Sequence, residues 1–201
     1  MTATGPDSAP RTTGRPALFL DRDGVINIDR GYVHRIDDVE FLPGLFDLAR
    51  YAVGTLRWPL VVVSNQSGIG RGYFSESDHQ RLIDWMCARF REQGAPVLAV
   101  YHCPYHPEHG LGDYRRDHPW RKPHPGMLLQ AAADHGLDLG RSAMIGDKGD
   151  DIAAAASAGV PHRIRIVPGG GTADSDLPDH VVVGTLAEAV VWLRSHVACA
   201  G

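Results

Sequence analysis

Asp21 and Asp23 stand two residues apart, directly after a short apolar run. That spacing lets two carboxylates divide a reaction: one attacks, and the other exchanges protons with the leaving group and then with water. Further polar groups recur downstream in Ser64-Asn65-Gln66-Ser67-Gly68, Arg121-Lys122-Pro123 and Gly146-Asp147-Lys148-Gly149-Asp150-Asp151. Crowded carboxylates repel one another and need a cation to share a site. Asp21, Asp23 and Asp147 therefore read as an oxygen-rich site suited to Mg²⁺. Ser64 offers a hydroxyl and Lys122 a point charge to phosphoryl oxygens, the stabilisation that phosphoryl transfer chiefly requires. The chemistry these groups imply together is phosphate-ester hydrolysis with Asp21 as the nucleophile.

Each group also has a plainer reading. An Asp-x-Asp pair can be a solvated turn, and Ser-Asn-Gln-Ser-Gly is ordinary turn composition. Asp147 and Asp150 are favoured near a helix N-terminus, and Arg121-Lys122 could be surface charge. What favours a shared site is where the groups fall in the chain. Uninterrupted apolar runs at 17–20, 60–63, 97–101, 143–145, 163–167 and 180–183 suit strands covered on both faces. Segments with helical spacing lie between or after them, at 45–56, 76–93, 126–135, 151–158 and 186–195. The helix at 76–93 has Ser75 as N-cap and Gly94 as its stop. This alternation predicts an α/β domain in three layers, Rossmann-like, around a mainly parallel sheet. Ligands of such sheets bind beyond the carboxyl ends of the strands, where three of the four polar groups fall; the fourth closes a long loop before a helix.

The expected organisation is one domain over residues 17–196, between a flexible tail at 1–16 that is poor in apolar residues and a short tail at 197–201. At 201 residues, with 43% hydrophobic content, one sizeable core is available. A net charge of -4 supplies no broad positive field, which argues against nucleic acid and anionic membrane as partners. No apolar run is long enough to span a bilayer and the first residues lack an apolar leader, so a cytoplasmic protein is expected. Cys87, Cys103 and Cys199 are too few and too scattered for a disulfide framework. Residues 103–122, rich in His, Pro, Tyr and Arg, form the only long stretch without periodicity, and such loops are usually functional or disordered.

The four groups, in this order, resemble the motifs of the haloacid dehalogenase superfamily of phosphatases. More narrowly, Phe19-Leu-Asp-Arg-Asp-Gly-Val-Ile-Asn27, Gly31-Tyr-Val-His34, Val63-Ser-Asn-Gln-Ser-Gly68, Arg121-Lys-Pro-His-Pro-Gly-Met127 and Gly146-Asp-Lys148 resemble the D-glycero-D-manno-heptose 1,7-bisphosphate phosphatases. The resemblance implies Asp21 as nucleophile and Asp23 as acid and base. It implies Mg²⁺ on Asp21, Asp147 and the backbone carbonyl of Asp23, and Ser64 and Lys122 on the transferring phosphoryl group. Asp29, Arg30, Gly31, Tyr32, Asn65, Gln66, Ser67, Arg121 and Lys148 would contact the substrate, with Arg121 on the phosphate that stays. No large cap domain is implied, and the expected partner is a small sugar phosphate bound by a monomer.

One departure concerns zinc. The family commonly carries a structural zinc on a Cys-x-His and a Cys-x-Cys pair in the loop before Arg-Lys-Pro. Here those positions read Cys103-Pro104-Tyr105 and His118-Pro119-Trp120, which leaves Cys103, with His118 as a substitute. Tyr and Trp are not tetrahedral zinc ligands. His102, His106 and His109 are further nitrogen donors, but the specific spacing is broken, so a zinc-free loop packed by Tyr105 and Trp120 is expected. Two rival functions share the motifs or the fold: a histidinol-phosphate phosphatase, and a phosphate-sensing module without turnover.

Overall fold

Runs such as Leu18-Phe19-Leu20 alternate their side chains between two faces, so both faces of the strand must find cover. A computed structural model, describing residues 14–197, shows how. Strands β1 (Leu18–Leu20), β2 (Leu60–Asn65), β3 (Val97–Cys103), β4 (Ala143–Gly146), β5 (His162–Ile166) and β6 (Val181–Val183) form one sheet. Its order is β3-β2-β1-β4-β5-β6 and every pairing is parallel. One face buries Leu18, Leu20, Leu60, Val62 and Ile145 beneath α1 (Leu45–Arg50), α3 (Glu76–Glu92) and α6 (Leu186–His196). The other buries Phe19, Val61, Val63 and Met144 beneath α4 (Gly126–His135) and α5 (Gly149–Ser157). These are the three layers the alternating pattern predicts.

From β1 the chain moves outward to β2 and β3, then returns to the other side of β1 for β4. Parallel strands reached in opposite directions leave a crevice at their carboxyl ends. Leu20 is level with Ile145 of β4 and Val62 of β2, so residues 21, 63 and 146 meet at that crevice.

Local rules account for most boundaries. Ser75 caps α3 through a reciprocal pair: its Oγ accepts from the Asp78 N–H at 3.1 Å, and Asp78 Oδ2 accepts from the Ser75 N–H at 2.9 Å. Gly94 follows the helix with φ of 73°. The segment 45–56 departs from the single regular helix expected. It is α-helical only to Arg50 and continues as a wider π-helical turn over Tyr51–Leu56. Val53, Gly54 and Thr55 are weak helix formers, while Tyr51, Ala52 and Leu56 are buried, so packing sets the winding there. The turn at 67–70 is a short helix, α2 (Ser67–Gly70).

The ends also differ. Arg15 bridges to Leu137 and its carbonyl accepts from the Asp138 N–H at 2.9 Å, so the chain joins the fold before residue 17. Val197, expected in the tail, packs into the core. The remaining tail residues, 1–13 and 198–201, lie outside the described residues. Among the described residues, no helix is long and apolar enough to cross a membrane.

Candidate active site

The Asp21 N–H donates to the Ile145 carbonyl at 3.0 Å, which carries the β1·β4 pairing one residue beyond the strand and fixes Asp21 at the crevice. The chain then turns sharply at Gly24, with φ of 86°. A Cβ there would sit 2.4 Å from Asp147 Oδ2, so glycine lets the turn lie against that carboxylate. Gly146 plays the same part for the other acid: a Cβ at 146 would come within 2.2 Å of the Asp151 Cβ.

Lys122 reaches this crevice from the end of the long loop and is 2% exposed. Its Nζ lies 2.8 Å from Asp21 Oδ1, 2.5 Å from Asp151 Oδ1 and 2.8 Å from the Val63 carbonyl, so all three ammonium protons are used. Asn65 holds the Lys122 main chain, accepting from its N–H and donating to its carbonyl, both at 3.0 Å. Asp151 Oδ2 accepts from the Lys148 N–H at 3.0 Å, which ties the acid to the first turn of α5.

Burial pushes the Asp21 carboxyl up to about 7; Asp151 and Asp147 push the same way and Lys122 opposes them. Burial likewise raises Asp147 to about 6, with Asp151 and Asp29 adding to it against Lys148. Burial alone would lower the Lys122 pKa, but the attraction of Asp151 and Asp21 outweighs it and the net shift is upward. Asp21, Asp147 and Asp151 each present an oxygen within 4.8 Å of the others, and Asp147 Oδ1 is buried with no hydrogen-bond partner. Three converging acids, two of them with raised carboxyls and one with an orphaned oxygen, fit an oxygen-seeking divalent cation such as Mg²⁺.

The Asp23 carboxyl stands outside that group of three, and the resemblance assigns the ion only its backbone carbonyl. The carboxyl is held by Arg22 through Nη2 at 2.7 Å, by Asn27 Nδ2 at 3.0 Å and by Gln66 Nε2 at 3.0 Å. Gln66 Nε2 also donates to Ser64 Oγ at 2.8 Å, so one amide aligns the Asp23 carboxyl with the hydroxyl expected to hold a phosphoryl group.

A family model described as HAD-hydrolase-like matches residues 119–189. The D-glycero-alpha-D-manno-heptose-1,7-bisphosphate 7-phosphatase of Burkholderia mallei is 56% identical over 150 residues, covering 75% of this chain and 79% of the relative. The chain belongs to the heptose-1,7-bisphosphate 7-phosphatase family. The D-glycero-beta-D-manno-heptose-1,7-bisphosphate 7-phosphatase of Vibrio cholerae is 46% identical, covering 77% of this chain and 83% of that one. Among solved structures, the D,D-heptose 1,7-bisphosphate phosphatase of B. bronchiseptica, complexed with magnesium and phosphate, superposes with a TM-score of 0.73 at 30% identity. That alignment covers 90% of this chain and 98% of the other.

Around the mouth of the site, the residues expected to touch substrate in this phosphatase family divide into two sets. Lys148 Nζ pairs with Asp29 Oδ2 at 2.9 Å, and Asp29 Oδ1 accepts from the Gly31 N–H at 2.9 Å. Tyr32 is 42% exposed, adopts a left-handed backbone with φ of 52°, and meets Tyr73 edge to face. Ser67 opens α2, and Arg121 Nη1 donates to the Tyr105 carbonyl at 3.1 Å. Asn65 and Gln66 form the inner set. Their side-chain amides serve Lys122, Asp23 and Ser64, so these two also position the groups expected to do the chemistry. Arg30 is turned to Glu40 at 2.5 Å, an exposed surface pair.

Three residues of the site escaped the sequence reading as functional groups. Asp151 lies four residues after Asp147, one turn into α5, and is 1% exposed. Arg22 is also 1% exposed; besides Asp23 it donates to the Val33 carbonyl at 2.7 Å, fastening the 29–34 loop to the paired aspartates. Asn27 is the third, on Asp23.

In the loop where the family commonly carries zinc, Cys103 is buried and its thiol pKa is raised by that burial. The His118 ring stacks on Tyr105 with centroids 4.3 Å apart, and its Nδ1 accepts from the Trp120 N–H at 3.1 Å. Arg116 covers Tyr105 at 4.2 Å, and Trp120 packs edge-on against Tyr101. Among the described residues, neither Cys103 nor His118 joins a group of three metal-competent side chains.

Proposed function

We infer that this protein hydrolyses the 7-phosphate of D-glycero-D-manno-heptose 1,7-bisphosphate, leaving heptose 1-phosphate and inorganic phosphate. The observation that carries this reading is the buried Lys122 held between Asp21 and Asp151 at the switch point of the sheet, in a chain 56% identical to a phosphatase of that name. An Asp21 oxygen attacks phosphorus in line with the sugar oxygen, the P–O bond to C7 breaks, and Asp23 delivers a proton to the departing alkoxide. Asp23 then takes a proton from water, whose oxygen attacks the phospho-aspartate and returns Asp21 as a carboxylate. Lys122 and Ser64 hold the phosphoryl oxygens in both steps. Held by Asp21, Asp147 and the Asp23 carbonyl, Mg²⁺ would neutralise charge between carboxylate and phosphate so that the two anions can meet.

Phosphate release tests the assignment. Both anomers of the heptose bisphosphate are compared with histidinol phosphate at saturating Mg²⁺, and a higher kcat/KM for one of the heptose anomers is expected. A preference for histidinol phosphate overturns the substrate, and no turnover of any of them favours a sensing module.

Removing the proton relay has a defined cost. Asp23→Asn keeps an amide on Arg22 and Asn27 but cannot move a proton. We expect kcat to fall by about 10² to 10⁴-fold with KM nearly unchanged, measured by steady-state phosphate release. A loss of under tenfold would place the acid elsewhere.

The raised carboxyls also set a pH dependence for Mg²⁺. A protonated acid does not bind the ion, and the pKa values here are near 7 for Asp21 and near 6 for Asp147. Mg²⁺ therefore raises the melting temperature little at low pH, progressively more as pH climbs through that range, and by a constant amount above it. Thermal melts with and without Mg²⁺ at matched ionic strength check this, and a shift independent of pH contradicts it.

A further inference from the structure

A second set of metal-competent side chains converges where the first turn of α3 meets the end of β3, outside the acidic site. Glu76 and His79 lie one helical turn apart on α3, and His102 is the penultimate residue of β3. One potential ligand atom from each lies within 4.8 Å of the others. His102 Nε2 is 3.0 Å from Glu76 Oε2, and the two imidazoles sit with centroids 4.3 Å apart.

His79 separates this cluster from ordinary packing. It is 2% exposed, and neither of its ring nitrogens has a hydrogen-bond partner. Buried polar groups are nearly always paired, and a neutral imidazole carries one donor and one acceptor that both want partners. Burial, followed by the proximity of His102 and Arg22, holds the His79 pKa down to about 3, so the ring is neutral and offers a lone pair throughout the physiological range. The nearby Arg22 guanidinium is already paired with Asp23 at 2.7 Å, which limits its repulsion of a cation.

We propose that Glu76, His79 and His102 form a second metal site, for a divalent transition ion of the zinc class. Two imidazoles and one carboxylate are a donor set for zinc, whereas Mg²⁺ selects oxygen ligands throughout. Bonds of about 2.0 to 2.2 Å place tetrahedral donor atoms about 3.3 to 3.6 Å apart, so donors that now lie within 4.8 Å of one another need an adjustment to close on an ion, Glu76 by rotation. The Glu76 side chain, 49% exposed, is free to make it. The ion replaces the proton shared by His102 and Glu76 and gives buried His79 its partner. An adjoining groove of about 260 Å³, lined in part by His79, Cys87, Leu98 and His102, leaves a fourth position to water. The site pins α3 to the edge strand of the sheet. It is distinct from the loop holding Cys103 and His118.

The test is Co²⁺ titration of the chelator-stripped full chain in excess Mg²⁺, which keeps the acidic site filled. One equivalent with the visible absorption of tetrahedral Co²⁺ is expected, displaced by Zn²⁺. Removing a ligand should weaken binding by about tenfold or more, at least the loss typical of outer partners. His79→Ala tests the buried ligand. Glu76→Gln, at a half-exposed position, tests the site without burdening the fold, and the phosphatase activity of both variants is expected to persist. A missing signal overturns the proposal, as does one that survives both substitutions. A signal abolished by Cys103→Ala would place the ion in the loop and overturn it equally.

Discussion

Asp21→Asn is expected to yield a folded protein whose kcat is lower by at least about 10⁴-fold. An amide cannot form the phospho-aspartate, and removing a covalent nucleophile costs on the order of 10⁴ to 10⁶ in kcat. The fold has reason to gain rather than lose. The folded-state pKa of Asp21 stands near 7 against 3.8 for the free side chain, so the folded protein holds a proton that the unfolded chain has released. Wild-type stability therefore falls as pH rises from about 4 to 7, and the lost increment stays lost above that range. The asparagine variant lacks this slope. Lys122 keeps its contacts to Asp151 and the Val63 carbonyl. At pH 8 without Mg²⁺ the variant should melt at or above the wild-type temperature, and the stabilisation by Mg²⁺ should shrink with one ligand gone. Residual activity above about a hundredth of wild type would remove Asp21 from the nucleophile's role. An inactive variant that also unfolds would show that the carboxylate holds the fold together.

That conflict between function and stability also explains what was legible in the sequence. The strands were, because Leu18-Phe19-Leu20 and Leu60 to Val63 are apolar on both faces and only a covered parallel sheet satisfies them. Asp21, Ser64 and Asp147 were legible because each follows such a run, and Lys122 because it closes the long loop. Asp151 was not. Gly146-Asp-Lys-Gly-Asp-Asp offers three acids, and which of them turns inward depends on where α5 begins. With the helix starting at Gly149, Asp150 is exposed and Asp151 is buried on Lys122. Arg22 was hidden for a related reason: a charged residue between two aspartates reads as solvated until the 29–34 loop closes over it. That Asn65 would hold the Lys122 main chain was not legible, because strand-end polarity shows where a side chain starts and not which neighbour it meets. His79 shows the reverse case. Within an amphipathic helix it looks like one more packed residue, and only the convergence of Glu76 and His102 gives its unpaired nitrogens a use.

Lys122→Met is the substitution expected to do most damage to the fold. The methionine matches the lysine stem in size but leaves Asp21 and Asp151 buried without their shared ammonium ion, where they had sat 2.8 and 2.5 Å from Nζ. Breaking a buried pair by removing one partner costs about 3 to 5 kcal/mol, because the remaining charge stays desolvated. In a chain of this size that is a fall of about 6 to 20 °C in melting temperature. The loss has a pH signature. Without Lys122 the Asp21 pKa rises further, so the variant can recover by taking up a proton at pH 5.5 more fully than at pH 8, and the gap from wild type widens with pH. Mg²⁺ supplies a replacement charge and should recover part of the stability. It should not restore turnover, since the contact to the phosphoryl oxygens is gone; a loss of about 10² to 10³-fold in kcat is expected, comparable to removing one oxyanion donor. Adding Asp151→Asn removes the stranded carboxylate, so the double variant should melt above Lys122→Met alone, a coupling that independent sites would not show. If Lys122→Met instead melted within about 2 °C of wild type at pH 8, the buried ammonium could not be what holds the two acids together.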